Sequence, residues 1–219
     1  MSNEKSAPAG EAWSHLSLSA FQQQLASSAP TPGGGSVSAL CLALAASLGR
    51  MVLALSEGKK AYQEHRDTLA ACAASCEQLA ARGLEGIALD AEAFEPLTQA
   101  WQRPKDDPER AFAVQLGLEA AASAPLALLR LCTQLAQSLK ELPGKTSKLA
   151  QSDIGCAAEL TLATARMSAM NVRVNTRLMA DRACAEKIDT EAEACLLSCS
   201  RQLSEVLNLV WYQLLQVGG

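Results

Sequence analysis

Residues 27–40 read SSAPTPGGGSVSAL. Two prolines and three consecutive glycines stand immediately before a long run of small and apolar residues, so the chain breaks sharply and then enters a helix. Ser36 is the expected N-cap, and the helix is expected to run to about Glu57. No residue from Val37 to Gly49 is charged, and Arg50 ends that run short of the length a bilayer needs. The stretch therefore reads as a core helix. Ala39, Ala43 and Ser47 recur within it at four-residue spacing. Such a small-residue seam lets neighbouring backbones approach, which places this helix at a bundle centre; the same flat surface would serve a homodimer.

Helical patterns continue on both sides. A first helix is expected over 14–27, and a third from near Ala61 to Trp101, bent at Gly83 and Gly86 and kinked or closed by Pro96. A fourth opens after Pro108 and runs to about Lys140 with a kink at Pro125. The fifth and sixth span about Ser152–Ala180 and Ala185–Gln216. No segment alternates with period two, and Ala and Leu make up roughly a third of the chain, a balance that favours helix. The expected fold is all-α: an up-and-down bundle of five to six long helices. Residues 13–219 form its single helical domain, behind a flexible tail over 1–12.

The formal net charge of −4 is scattered, without a Lys/Arg block, which excludes a nucleic-acid footprint. Eight cysteines would suggest a disulfide frame in a small secreted protein, but the N-terminus has no apolar signal core. Cys41, Cys132 and Cys156 sit among Ala and Leu and read as buried, reduced thiols of a cytoplasmic protein. Cys72/Cys76 and Cys195/Cys199 are one helical turn apart, which is not a structural-zinc spacing, and no His stands near them in sequence; no metal is expected.

Four stretches carry polar chemistry. Gly33, Gly34 and Gly35 either make a tight interhelical turn or present bare N–H groups at a helix N-terminus to a polar ligand. In LDAEAF (89–94), Asp90 stands in an apolar helical stretch and is a solvated carboxylate or, facing a cleft, a general base. Phe94 shares its face, where it fills the core or stacks on a flat ring. In QSDIG (151–155), Ser152 and Asp153 make a good helix start. Asn171 and Asn175 lie one turn apart and need partners, from another helix or from a heteroaromatic ligand. Asp153 and Asn171 stand about 27 Å apart along one helix and cannot grip the same small group within one chain.

Taken in order, PTPGGGS, MVLALSEGKKAY, LDAEAF, SAPLAL, QSDIG and NVRVN resemble the cyclodeaminase family over about residues 17–200. That family comprises the C-terminal domain of formiminotransferase-cyclodeaminase and stand-alone bacterial methenyltetrahydrofolate cyclohydrolases. The resemblance implies a dimerising helical bundle with a reduced-folate site in a helix-lined cleft, needing neither redox cofactor nor metal. It implies Asp90 as the general base, and Gly33–Gly35 and Ser36 as a folate cradle. Lys59 and Lys60 would meet the anionic glutamate tail, and Asp153, Asn171 and Asn175 match family positions. Two departures stand out. Ala88 occupies a position often acidic in the family, and Ser147 and Leu149 stand where amides are usual.

The implied activity is the cyclodeaminase reaction, in which 5-formiminotetrahydrofolate gives 5,10-methenyltetrahydrofolate and ammonia. The alternative within the class is the cyclohydrolase reaction, from 5,10-methenyl- to 10-formyltetrahydrofolate. From another class, the chain is a non-catalytic helical folate-binding protein. Neither nucleic acid nor a membrane is an expected partner.

Overall fold

The computed structural model describes residues 13–216; the tail expected over 1–12 lies outside them. Among the described residues every regular element is helical: α1 (Leu18–Leu25), α2 (Gly34–Ala54), α3 (Arg66–Gln102), α4 (Arg110–Lys140), α5 (Gln151–Thr176) and α6 (Arg182–Leu215), with three short 3₁₀ turns. Helices α2, α3, α4 and α5 pack in a closed ring, each against the next and α5 back against α2. Helix α6 covers the α4–α5 groove from outside. The all-α bundle read from the sequence is the observed fold.

The boundaries differ from expectation for local reasons. Ser17 adopts extended angles and its hydroxyl accepts from the Ala20 N–H at 3.2 Å, so the first helix splits into a 3₁₀ turn and a shorter α1. Helix α2 starts at Gly34 with Gly33 as its N-cap, which puts Ser36 inside the first turn rather than at the cap. Helix α5 starts at Gln151 behind Ala150, with no side-chain cap from Ser152 or Asp153. Asp181 does cap α6, accepting from the Cys184 N–H at 2.9 Å.

Packing overrides the breakers in α3. Pro96 lies inside the helix, which continues to Gln102. Gly83 and Gly86 mark where α2 comes closest. A Cβ on Gly83 would stand 2.7 Å from the backbone N of Ala43, and one on Gly86 would stand 3.1 Å from the Cβ of Ala39. The small-residue seam is therefore an α2–α3 contact through Ala39 and Ala43, while Ser47 turns outward. Helix α2 is a ring member with one face open, not a helix enclosed at the centre.

The main core runs the length of the ring and holds fully buried Leu42, Leu129, Leu135, Ile154 and Leu203. Each such side chain contributes about 2 kcal/mol through burial. A smaller cluster of Leu97, Leu118, Ala122 and Met179 closes one end of the bundle. Helix α6 is held from α4 by Arg130–Glu191 and Lys140–Glu205, both at 2.6 Å, and from α5 by Thr176, which donates to Asp189 at 2.6 Å.

Helices α2 and α4 are long and apolar enough to cross a membrane, but half of the most apolar window of α2 is buried inside the bundle. All eight cysteines are free. Burial pushes the thiols of Cys76 and Cys199 up to about 12, which suppresses the thiolate. Cys156 is exposed and Cys41 only half-buried, so the reading of both as core thiols fails. Among the described residues no three His, Cys, Asp or Glu side chains cluster in a metal-binding arrangement.

Candidate active site

The Gly-rich stretch and LDAEAF meet where α2 begins. The antiparallel α2–α3 register lays Asp90 directly over the first turn of α2. A Cβ built on Gly35 would fall 1.8 Å from the Asp90 Oδ1, inside the carboxylate. That contact explains a glycine at 35. Gly33 is extended, with φ −129° and ψ −155°, and the positive-φ glycines are Gly58 and Gly144 instead. What the run supplies at this point is close approach, not an unusual backbone angle.

The Ser36 hydroxyl lies 3.1 Å from Asp90 Oδ2 and 3.3 Å from the Ile87 carbonyl, and its one proton serves either acceptor. Burial raises the Asp90 carboxyl above its ordinary range, and the hydrogen bonds from Ser36 partly oppose this. The result is a carboxylate beside a helix N-terminus, less acidic than a solvated one. Such a group is suited to take and return a proton.

The asparagine pair completes this end. A Cβ on Gly34 would lie 3.8 Å from both terminal atoms of Asn171, whose amide makes no hydrogen bond to another described side chain or backbone group. The buried Asn175 donates from Nδ2 to the Asn171 carbonyl at 2.9 Å and to the Ala121 carbonyl at 3.1 Å. The second acceptor follows from covalent chemistry. Pro125 has no N–H to give the carbonyl four residues earlier, so Ala121 is left with a free acceptor inside the bundle. The kink expected at Pro125 thus has a chemical use: it anchors Asn175.

A cavity of about 170 Å³ opens beside Asp90 between α3 and α4, lined also by Gly35, Arg82, Gly86, Pro125 and Leu131. Phe94, one turn beyond Asp90, packs against the smaller core cluster and meets Trp101 edge-on at 6.0 Å.

The other predicted residues lie elsewhere. Lys59 and Lys60 follow the far end of α2, at a separate cavity of about 460 Å³ whose lining includes Ser56, Tyr62 and Arg66. Asp153 belongs to the first turn of α5 at that same end, beside the loop in which the Ser147 N–H donates to Ser56 at 3.0 Å. Leu149 is 94% exposed there. The length of α2 separates the two groups, about 30 Å for 21 residues. Sequence reasoning missed Arg66, Arg82 and Pro125. The first stands on the turn after GKKAY, and the last was read only as a kink.

Residues 17–194 match the family described as formiminotransferase-cyclodeaminase. A methenyltetrahydrofolate cyclohydrolase from Methylorubrum extorquens is 38% identical over 184 residues, covering 82% of this chain and 88% of that protein. The formimidoyltransferase-cyclodeaminase of Mus musculus is 30% identical over 196 residues, 88% of this chain but 36% of the longer mouse protein. The crystal structure of formiminotetrahydrofolate cyclodeaminase from Thermotoga maritima superposes with a TM-score of 0.78 at 28% identity, covering 88% of this chain and 96% of that one.

Proposed function

Because the chain belongs to the formiminotransferase-cyclodeaminase family, we propose that it acts on the one-carbon unit bridging N5 and N10 of tetrahydrofolate, with Asp90 moving the protons. It is a folate one-carbon enzyme, as its relatives are. Between the two reactions of such enzymes we favour the cyclohydrolase. The M. extorquens relative bears that name and is matched over 88% of its length. The sequence motifs alone put the cyclodeaminase first, and it remains the second reading because the T. maritima structure is matched over 96% of its chain.

The observation that carries the mechanism is the Asp90 carboxylate held by Ser36 against Gly35, facing a cavity. In the hydrolytic direction, water attacks the methenyl carbon and Asp90 takes its proton. The carbon–N5 bond then breaks. Asp90 returns its proton to N5, the second hydroxyl proton leaves to solvent, and 10-formyltetrahydrofolate is released. No bond is oxidised, so the reaction calls for no redox cofactor. In the cyclodeaminase direction Asp90 would take the N10 proton and protonate departing ammonia.

Asn171, whose amide offers a donor and an acceptor side by side, fits the amide edge of a pterin. Asn175 ties the α5 backbone at Asn171 to the Ala121 carbonyl of α4. The N–H groups of Gly34 and Gly35 give polar atoms of the substrate a positive helix end. Lys59 and Lys60 suit the glutamate carboxylates. Eight free thiols fit a reducing cytoplasm, where we place the reaction.

The test is absorbance at the methenyl-folate band. We expect the protein to accelerate its loss from methenyltetrahydrofolate, and Asp90→Asn to lower kcat by about 10²–10⁴-fold. A rise of the band from 5-formiminotetrahydrofolate would select the cyclodeaminase. Reduced-folate binding without either reaction would make the protein a non-catalytic binder and sink the enzymatic reading.

A further inference from the structure

Helices α4 and α6 run parallel, and two ion pairs fix their register: Arg130 with Glu191, then Lys140 with Glu205. In that register Cys132 of α4 comes level with the turn of α6 that carries Cys195. The next turn brings Cys199, whose Sγ–H donates to the Cys132 carbonyl at 3.8 Å. Three of the eight thiols therefore share one seam. Cys132 and Cys199 are fully buried in it, and Cys195 is half-buried at its edge.

The edge thiol differs chemically from the inner two. Burial drives the Cys132 thiol well above its usual range, and the Cys199 and Cys195 sulfurs add to the rise. Cys199 is pushed up to about 12, again by burial first. Thiols that hold their protons behind packed side chains do not meet an oxidant first. Cys195 stands one turn after Glu191 on the same face of α6. The guanidinium that bonds Glu191 through Nε at 2.6 Å thus lies beside Cys195, and its terminal amino groups have no described partner. Arg130 registers that closeness: it is held in its charged form first by Glu191 and in smaller part by the Cys195 sulfur. A cation there stabilises negative charge on the sulfur as it attacks.

The other accessible thiols lack this setting. Burial pushes Cys41 up. Partial burial, then the carboxylates of Glu119 and Asp181, push Cys184 up. Cys156 is exposed, but its neighbour Gly155 faces Val210, which sets it about 15 Å along α6 from Cys199.

We propose that Cys195 is a peroxide-reactive thiol and that Cys132 resolves it, closing a reversible disulfide that clamps α6 onto α4. The clamp is independent of the folate reading, and no thiol of the seam lines the Asp90 cavity. In the first step the Cys195 thiolate attacks one oxygen of hydrogen peroxide. The O–O bond breaks, and hydroxide leaves, taking a solvent proton to become water. The sulfur, oxidised by two electrons, is now a sulfenic acid. The Cys132 sulfur attacks it, the S–S bond forms as the S–O bond breaks, and the Cys132 proton leaves on the hydroxide as a second water. Proximity offsets the reluctance of a buried thiol to release its proton. A dithiol reductant restores both thiols.

Cys199 is the wrong resolver although it is one turn from Cys195. Cβ atoms at that spacing stand ~5–6 Å apart, beyond the ~4 Å that a disulfide spans, so pairing them would unwind α6. Cys132 reaches Cys195 from a different helix and carries no such constraint.

The test treats the purified, fully reduced chain with a small excess of hydrogen peroxide, blocks free thiols by alkylation and maps the digest without reduction. We expect a peptide cross-linked through Cys132 and Cys195. The bond closes a loop of about 60 residues, so Tm should rise by about 10 °C and return with dithiothreitol. Cys132→Ala should stop at the sulfenic acid, labelled at Cys195 by a dimedone trap, while Cys199→Ala should leave the link intact. Arg130→Gln should slow the first step about tenfold. Glu191→Gln, which breaks the same ion pair but keeps the guanidinium, should not. A link from Cys195 to Cys199, a Cys195 that reacts no faster than Cys156, or a treated wild type with sulfinic acid and no cross-link would overturn the proposal. Should Cys132→Ala fail to fold, the wild-type cross-link and its loss in Cys195→Ser decide the same question.

Discussion

The two ends of the bundle use the same helices in opposite ways. At the Asp90 end the chemistry is set by helix–helix contact: a carboxylate lies where the Cβ of residue 35 would be, and a proline in α4 frees a carbonyl that holds an asparagine of α5. At the Lys59 end the polar groups ride on a 3₁₀ turn and a loop, and both lysines are exposed. The first arrangement sets its groups by backbone-to-backbone packing, which suits the close positioning that proton transfer demands. The second leaves charge on flexible stems, sufficient for holding an anion and tolerant of variation. Position is built into the helices and attraction into the loops.

That contrast breaks or sharpens under substitution. Gly35→Ala should be the severest. Its methyl displaces Asp90, so kcat should fall about 10²–10³-fold while far-UV circular dichroism stays native. Retained turnover would mean that the carboxylate need not sit where it does. Asn175→Leu should come next, by stranding the Ala121 carbonyl. A loss of about 1–3 kcal/mol in urea unfolding is expected, and no loss would show that the proline leaves nothing to satisfy. At the other end, Lys59→Gln/Lys60→Gln should raise KM by about tenfold with kcat unchanged, and the difference should shrink in high salt. An equal fall in kcat would place the lysines in the chemistry and erase the distinction between the ends.

The smallest effect is on stability. Burial raises the Asp90 carboxyl in the fold, so the neutral form is better tolerated there, relative to the ionised one, than in the unfolded chain. Its contribution is fully present below the unfolded-chain value and is lost as pH rises through the folded value. Asp90→Asn should therefore raise Tm slightly at neutral pH, and the gain should vanish in acid. The same raised value makes turnover fall as pH drops through it. A variant less stable at neutral pH would show that the hydrogen bonds from Ser36 outweigh the burial.

The helices were legible because their apolar runs and breaks are long and local. Ser17 and Ser36 show where that reading stops. Ser17 caps a helix that the pattern had extended past it, and Ser36, a good cap by type, gave way to Gly33 because its hydroxyl is engaged with α3. Gly83 and Pro96 punctuate a sequence strongly, yet in α3 the neighbouring helix decides: the glycine is a contact and the proline is absorbed. Asp90, the glycines and the asparagines stood out by type. Their mutual arrangement did not, because it depends on the register of three helices far apart in the chain. Pro125 could have been read further, since its missing N–H always leaves an acceptor four residues earlier.

The contact between residue 35 and residue 90 also orders the paths by which this sequence can change. While Asp90 is present, any side chain at 35 collides with it. Once Asp90 is replaced by alanine, the space is vacated and Gly35→Ala becomes tolerable, even favourable to the first turn of α2. The double variant should thus be more stable than the separate effects predict when summed. A lineage that gives up the acid is then free to fill position 35, and one that has filled it cannot regain the acid in a single step.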